Sequence, residues 1–212
     1  MSMNNLSKVL LASGAAGVST ATAGAAGNKA VDELIAGIRD ASDKVRTQAW
    51  LNAGKAGPAA VKPLAEVMTD SDPEVARAAT RALWQLARHA GRPGAAKEKR
   101  AVETELIGLL GDENPLSVRR EALWMLSEIA GTNSVEPVAG LLKNDELRED
   151  ARMVLERIPA KSAVAALKAA FEAAPEDFKA NIAQSLRKRG QEMAGYPCQK
   201  LVPKKKTDLK PL

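Results

Sequence analysis

The sequence predicts an all-α chain, an α-solenoid of about five stacked antiparallel helix pairs. Three observations predict it. Apolar residues recur at helical spacing from residue 30 onward, as in Val75, Ala79, Leu83 and Leu86. The same two-helix pattern returns with a period of about 30 residues. Of 212 residues 45% are hydrophobic but only 3% are aromatic, so the apolar surface is mostly Ala, Leu and Val, and β-branched runs are scarce. Such a surface suits close helix packing better than a sheet sandwich.

The chain divides by pattern into residues 1–29, a repeat domain over 30–190, and a basic tail over 191–212. In the first stretch Lys8 precedes Val9-Leu10-Leu11-Ala12, and Ala21-Thr22-Ala23 has the small-x-small form of a signal-peptidase site. It reads either as a signal peptide, which would make the protein exported or periplasmic, or as a disordered Ala/Gly-rich segment of a cytoplasmic one.

Within the repeat domain the pairs span approximately 30–56, 58–91, 95–131, 134–158 and 161–190. The first helix of each pair follows a Val-x-x-Leu-x-x-x-large pattern: Val31, Leu34, Ile38; Val61, Leu64, Met68; Leu106, Leu110; Val135, Val138, Leu142; Val164, Leu167, Phe171. The second helix is set by Val45, Val75, Val118, Leu147 and Phe178, with spacings of 30, 43, 29 and 31 residues. Four positions on stand Ala49, Ala79, Ala122, Ala151 and Ile182. Eight positions on stand Ala53, Leu83, Leu126, Leu155 and Leu186. Small followed by large describes a helix face that a neighbour approaches closely.

Acidic turns join the two helices of a pair, at 40–43, 70–72, 112–114, 144–145 and 175–177, where Asp and Asn can cap the next helix. Asp72 and Pro73 open the strongest helix and Gly91 closes it. Gly or Pro breaks separate successive pairs. Between pairs two and three stand about 13 extra residues, a basic insert with Arg92, Lys97, Lys99 and Arg100. Part of it extends the next helix, because 95–110 contains no Pro. The tail holds Cys198 and the run Lys204-Lys205-Lys206, has no helical period, and is expected to be flexible.

The Asp…Val-Arg…Ala…Leu pattern, seen as Asp43-Lys44-Val45-Arg46…Ala49, resembles HEAT repeats, and the short period is similar to the HEAT-like repeats of phycobilin-lyase-type proteins. The resemblance covers roughly 31–190. It implies a right-handed superhelix of the armadillo type, with second helices lining a concave face. It also implies a ladder in which the basic residue after the register position pairs with a loop acid to tie repeats together. Those residues are Arg46, Arg119, Arg148 and Lys179; the second repeat departs with Ala76 and places its Arg at Arg77.

Candidate binding residues sit on the second helices of repeats two and three. Arg77, Arg81, Trp84 and Arg88 fall on one helix face, and Arg120 and Trp124 take the register positions of Arg77 and Arg81. Guanidinium groups grip carboxylate or phosphate bidentately and indole offers a stacking face. The patch therefore reads as a site for an acidic protein segment or for a nucleic acid. The alternative is a solvated face whose Arg residues pair with neighbouring acids and whose Trp rings pack between repeats. Trp50, beside the core stripe, reads as packing.

Other chemistries find no foothold in the residues. One Cys and one His, His89, give no disulfide framework and no His- or Cys-based metal centre. Nucleotide-binding glycine motifs and the Gly-x-Ser-x-Gly elbow are missing. No apolar run approaches the ~20 residues that cross a bilayer. The net charge of +5 lies in the ends: Lys8 and Lys29 face no acid in 1–30, and five Lys face Glu192 and Asp208 in 191–212. The body is neutral, so the basic pI does not by itself indicate nucleic acid. The expectation is a monomeric, non-enzymatic scaffold with no cofactor and no metal that binds a protein. Nucleic-acid binding, and a lyase-like or chaperone-like accessory role, are the alternatives.

Overall fold

The computed structural model describes residues 29–196, and among them the regular structure is helical. The readings made for residues 1–28, for Cys198 and for the tail lysines lie outside the described residues. Ten α-helices follow in order among the described residues: α1 (29–38), α2 (Asp43–Asn52), α3 (Val61–Val67), α4 (Pro73–Ala90), α5 (Ala96–Gly108), α6 (Leu116–Ile129), α7 (Val135–Gly140), α8 (Arg148–Arg157), α9 (Lys161–Ala173) and α10 (Glu176–Lys188). They form five pairs joined by short turns, the architecture of an α-solenoid. The chain divides into two compact units, Met1–Gln85 and Leu86–Leu212.

The turns are built by the Asp and Asn residues the sequence placed there. Ser42 N–H donates to Asp40 Oδ1 at 2.8 Å, and Asp72 N–H to Asp70 Oδ1 at 3.0 Å. Glu146 and Leu147 N–H both donate to Asn144 Oδ1, at 3.0 and 3.2 Å. Such Asx bonds reverse the chain over two residues. Asp72 then caps α4, its Oδ1 accepting from Glu74 N–H at 2.8 Å. Pro115 and Pro175, both extended, stand just before α6 and α10.

In the first unit α1 meets α2 at a glycine. A Cβ on Gly37 would lie 2.8 Å from Ala49 Cβ, so only hydrogen fits there. Arg39 Nη1 reaches Asp70 Oδ2 at 2.6 Å and ties repeat one to repeat two. The unit's outer end departs from the register pattern. Val45, the register residue of α2, is 42% exposed and Leu51 is 47% exposed. Ala49 is half-buried, and none of the ten residues of α2 is buried. A terminal repeat has a described neighbour on one side only, so half of its apolar stripe meets no described residue to bury against.

The second unit stacks like on like: α6 packs on α8 and α8 on α10, while α7 packs on α9. The register positions form its core. Ala122, Leu126, Ala151, Leu155, Ile182 and Leu186 are fully buried. Val164 and Phe171 on α9 are half-buried, the counterpart at this end of the exposure of α2. Part of that face is closed by Tyr196, whose ring meets Phe171 edge-on with centroids 5.1 Å apart and whose Oη donates to Glu176 at 3.0 Å.

Buried polar groups lock consecutive repeats in this unit. Glu103 on α5 is 3% exposed, and its Oε1 accepts from Gly131 N–H at 2.7 Å and Ser134 Oγ at 2.6 Å. It thereby satisfies the break between α6 and α7 from the first helix of the preceding pair. Arg189 caps the C-terminal end of α8, donating to the carbonyls of Leu155, Glu156, Ile158 and Ala160. Glu156 joins α8 to α10: Oε2 accepts from Ser185 Oγ at 2.7 Å and Arg152 Nη1 at 3.2 Å, and Oε1 accepts from Lys188 Nζ at 2.8 Å.

Burial works to raise the Glu156 carboxyl, but hydrogen bonds from Lys188 and Ser185 and the charges of Lys188 and Arg152 outweigh it. The net effect holds it below the ordinary 4.5. A carboxylate depressed on folding stabilises the fold above its unfolded value, and that contribution is lost as pH falls through the folded value. The urea midpoint of the wild type should fall between about pH 5 and about pH 3, and Glu156→Gln should flatten that part of the profile. Identical slopes in the two proteins would show that the junction does not titrate.

Candidate partner-binding face

The six sequence-predicted patch residues fall in two groups. Arg77, Arg81 and Trp84 belong to the first unit; Arg88, Arg120 and Trp124 belong to the second.

In the first group, Arg77 Nη1 pairs with Glu74 Oε1 at 2.9 Å, one turn back on α4, with both side chains about half exposed. Such a pair adds little stability. Arg81 lies over the Trp50 ring at 5.6 Å from its centroid, a cation–π contact between repeats one and two. Trp50, read from sequence as packing, thus meets a guanidinium. Trp84 is half-buried.

In the second group one carboxylate organises two of the predicted residues. Asp150, in the first turn of α8, accepts from Trp124 Nε1 at 2.7 Å through Oδ1 and from Arg120 Nε at 3.1 Å through Oδ2. Arg120 Nη2 also donates to the Glu146 carbonyl at 2.8 Å. Trp124 is 38% exposed, with its polar atom satisfied and its ring held in one place. One turn further along α6, Ser127 Oγ donates to the Trp124 carbonyl at 2.7 Å and accepts from Arg157 Nη1 at 3.1 Å. Arg88 Nε lies 3.6 Å from Glu128 Oε2.

Asp150, Ser127 and Arg157 were not singled out from sequence. Asp150 stands one repeat period after Arg120, so reading the register positions of consecutive repeats against each other would have found it.

The basic insert is a turn followed by the opening of α5. Arg92 Nη2 pairs with Glu98 Oε2 at 2.7 Å, and His89 Nε2 lies 3.8 Å from Glu98 Oε1. Lys97 and Arg100 are exposed and Lys99 is half-buried. The ladder residues all pair with acids, at a turn or in the first turn of their own helix. Arg46 pairs with Asp43 and donates to the Asp40 carbonyl. Arg119, 8% exposed, pairs with Asp112 at 2.7 Å and donates to the Leu110 carbonyl at 3.0 Å. Lys179 pairs with Glu176 at 2.7 Å. The contacts of these three residues stay inside one repeat. Arg148 bridges two: it meets Asp145 of its own turn at 3.1 Å and Asp177 of the next at 2.8 Å, and stacks on Phe178 at 4.9 Å.

The second unit also has a groove of about 510 Å³ between α7 and α9, lined by Leu142 and the alanines of α9, with Arg148 at its edge. Among the described residues no group of three or more His, Cys, Asp or Glu is placed to hold a metal ion, and no helix is long and apolar enough to cross a membrane.

No family model and no curated protein matches the chain. Among solved structures it is similar to the designed armadillo repeat protein YIII(Dq.V1)4CPAF in complex with the peptide (KR)4, at 20% identity and a TM-score of 0.44, covering 80% of this chain and 84% of that one. It is also similar to the designed armadillo repeat protein YIII(Dq)4CqI, at 20% identity and a TM-score of 0.41, covering 76% and 82%. The likeness is one of helical-repeat architecture.

Proposed function

We propose that the chain is a non-enzymatic repeat scaffold that engages a protein partner through exposed side chains of its second helices. The observation that carries this reading is Trp124. Its indole is exposed over more than a third of its surface, yet Asp150 holds its N–H and fixes the ring. Indole and guanidinium side chains dominate protein-binding hot spots, and a ring already immobilised loses little further freedom on binding. Asp150 supports this role as a positioning residue.

The test compares partners captured from the native source by the wild type, by Trp124→Ala and by Arg81→Glu, quantified by mass spectrometry. Trp124→Ala should lose the specific partners by about tenfold or more, in line with a hot-spot truncation. Equal recovery by all three proteins would dismiss the second-helix face as the binding surface.

Lys97 and Arg100, exposed and without a carboxylate partner among the described residues, favour a second reading, nucleic-acid binding through the insert. Filter binding with a salt titration checks it, and absence of affinity at low salt removes it. The bilin-lyase-type accessory role implied by the repeat resemblance rests on repeat period alone. A visible absorbance change on mixing with a bilin would favour it.

A further inference from the structure

We propose that the partner segment received at Trp124 is acidic and apolar: one carboxylate pairs with Arg157 while a neighbouring aliphatic side chain lies on the indole face. This deepens the scaffold reading above and rests on it.

Most charges of this strip are already paired. Arg120 is consumed by Asp150 and the Glu146 carbonyl. Arg152 is consumed by Glu149, Glu156 and Ser185. Arg88 faces Glu128. Arg157 is different. It is exposed, and its hydrogen-bond partner is the neutral Ser127 hydroxyl. The acid beside it in sequence, Glu156, is drawn the other way, to Ser185 and Lys188 on α10. Among the described residues no carboxylate pairs with Arg157.

A guanidinium anchored by a hydroxyl is positioned without being neutralised. Its remaining N–H groups keep the fork that a carboxylate takes in bidentate fashion. Ser127 sits less than one turn from Trp124 and bonds to its carbonyl, so the cation is anchored within about one helical turn of Trp124 on α6. The indole N–H is already given to Asp150, which leaves the ring face, an apolar surface, for the partner. A cationic side chain could stack on that face in isolation, but here it would approach Arg157 and Arg120, and like charges at close range repel. A carboxylate next to an aliphatic group fits both features.

The test uses the full chain carrying Trp50→Phe and Trp84→Phe, so that Trp124 is the single indole, with the fold checked by circular dichroism. Four probes are titrated against its fluorescence: alternating Glu-Leu, Lys-Leu and Glu-Ser octapeptides, and a deoxythymidine 12-mer. The Glu-Leu peptide should give a saturable change. Its affinity should fall about tenfold in Arg157→Gln and stay unchanged in Lys168→Gln, an exposed charge on α9. Glu-Ser should bind more weakly than Glu-Leu. The proposal is overturned if Glu-Leu gives no saturable change, if Lys-Leu or the oligonucleotide binds as well, or if Arg157→Gln binds like its parent. Any of these together with loss of native partners in Trp124→Ala would sink the acidic-partner inference and leave the scaffold reading standing. Unchanged native partners in both Trp124→Ala and Arg81→Glu would sink the scaffold reading itself.

Discussion

Replacing Glu103 by alanine should destabilise the second unit by about 3 kcal/mol, while Glu103→Gln should cost about 1 kcal/mol. The alanine variant removes a buried acceptor and leaves two donors, the half-buried Gly131 N–H and the buried Ser134 hydroxyl, without their partner. A stranded buried donor costs the desolvation of the group as well as the lost bond. Glutamine keeps a carbonyl oxygen that can accept both bonds, and loses only the strengthening that a charged acceptor brings. Urea unfolding read by far-UV circular dichroism measures the difference, and hydrogen exchange at Gly131 locates it. Equal losses in the two variants would mean that Glu103 contributes through packing, not as an acceptor.

The second large effect separates the core from the end of the array. Leu155→Ala should cost about 3–4 kcal/mol, because Leu155 is fully buried on α8 and its loss leaves a cavity between neighbouring repeats. Leu51→Ala, at a residue 47% exposed on α2, should change stability by less than about 0.5 kcal/mol. Thermal melts of the two variants beside wild type decide it. A large loss at Leu51 would show that the outer face of repeat one is covered in solution.

Five helix pairs, their turns and most of their core were legible in the sequence, for a physical reason. A repeat that buries one face against its neighbour must write the same apolar positions each time, so Ala122, Ala151 and Leu126, Leu155 announce themselves by spacing. The same register does not say whether a neighbour is present. Val45 therefore carries the pattern of a core residue and stands half-exposed at the outer end of its unit.

The polar face was legible only in half. Arg120 and Trp124 could be read as an outward pair. What they meet, Asp150, belongs to the next repeat, and a pattern taken one helix at a time does not contain it. Arg189 and Glu103 left no readable signal, because their partners are backbone groups whose exposure depends on how the breaks between helices fold. Of the two readings given to the arginines, pairing with neighbouring acids describes Arg77, Arg88 and Arg120. Arg81 has the Trp50 ring and Arg157 has Ser127.

The bonds that join the repeats of the second unit have a kinetic consequence. From Trp124–Asp150 to Arg189–Leu155, these inter-repeat hydrogen bonds close loops of 26 to 34 residues. Loop-closure entropy rises slowly with length, so each docking event asks nearly the same of the chain. Rates of folding track the sequence separation of native contacts, and these contacts share nearly one separation, about one repeat length. Once one pair has formed, the next can zip onto it from the adjoining stretch of polypeptide, so the growing chain on a ribosome can complete each junction about one repeat length after its first partner emerges.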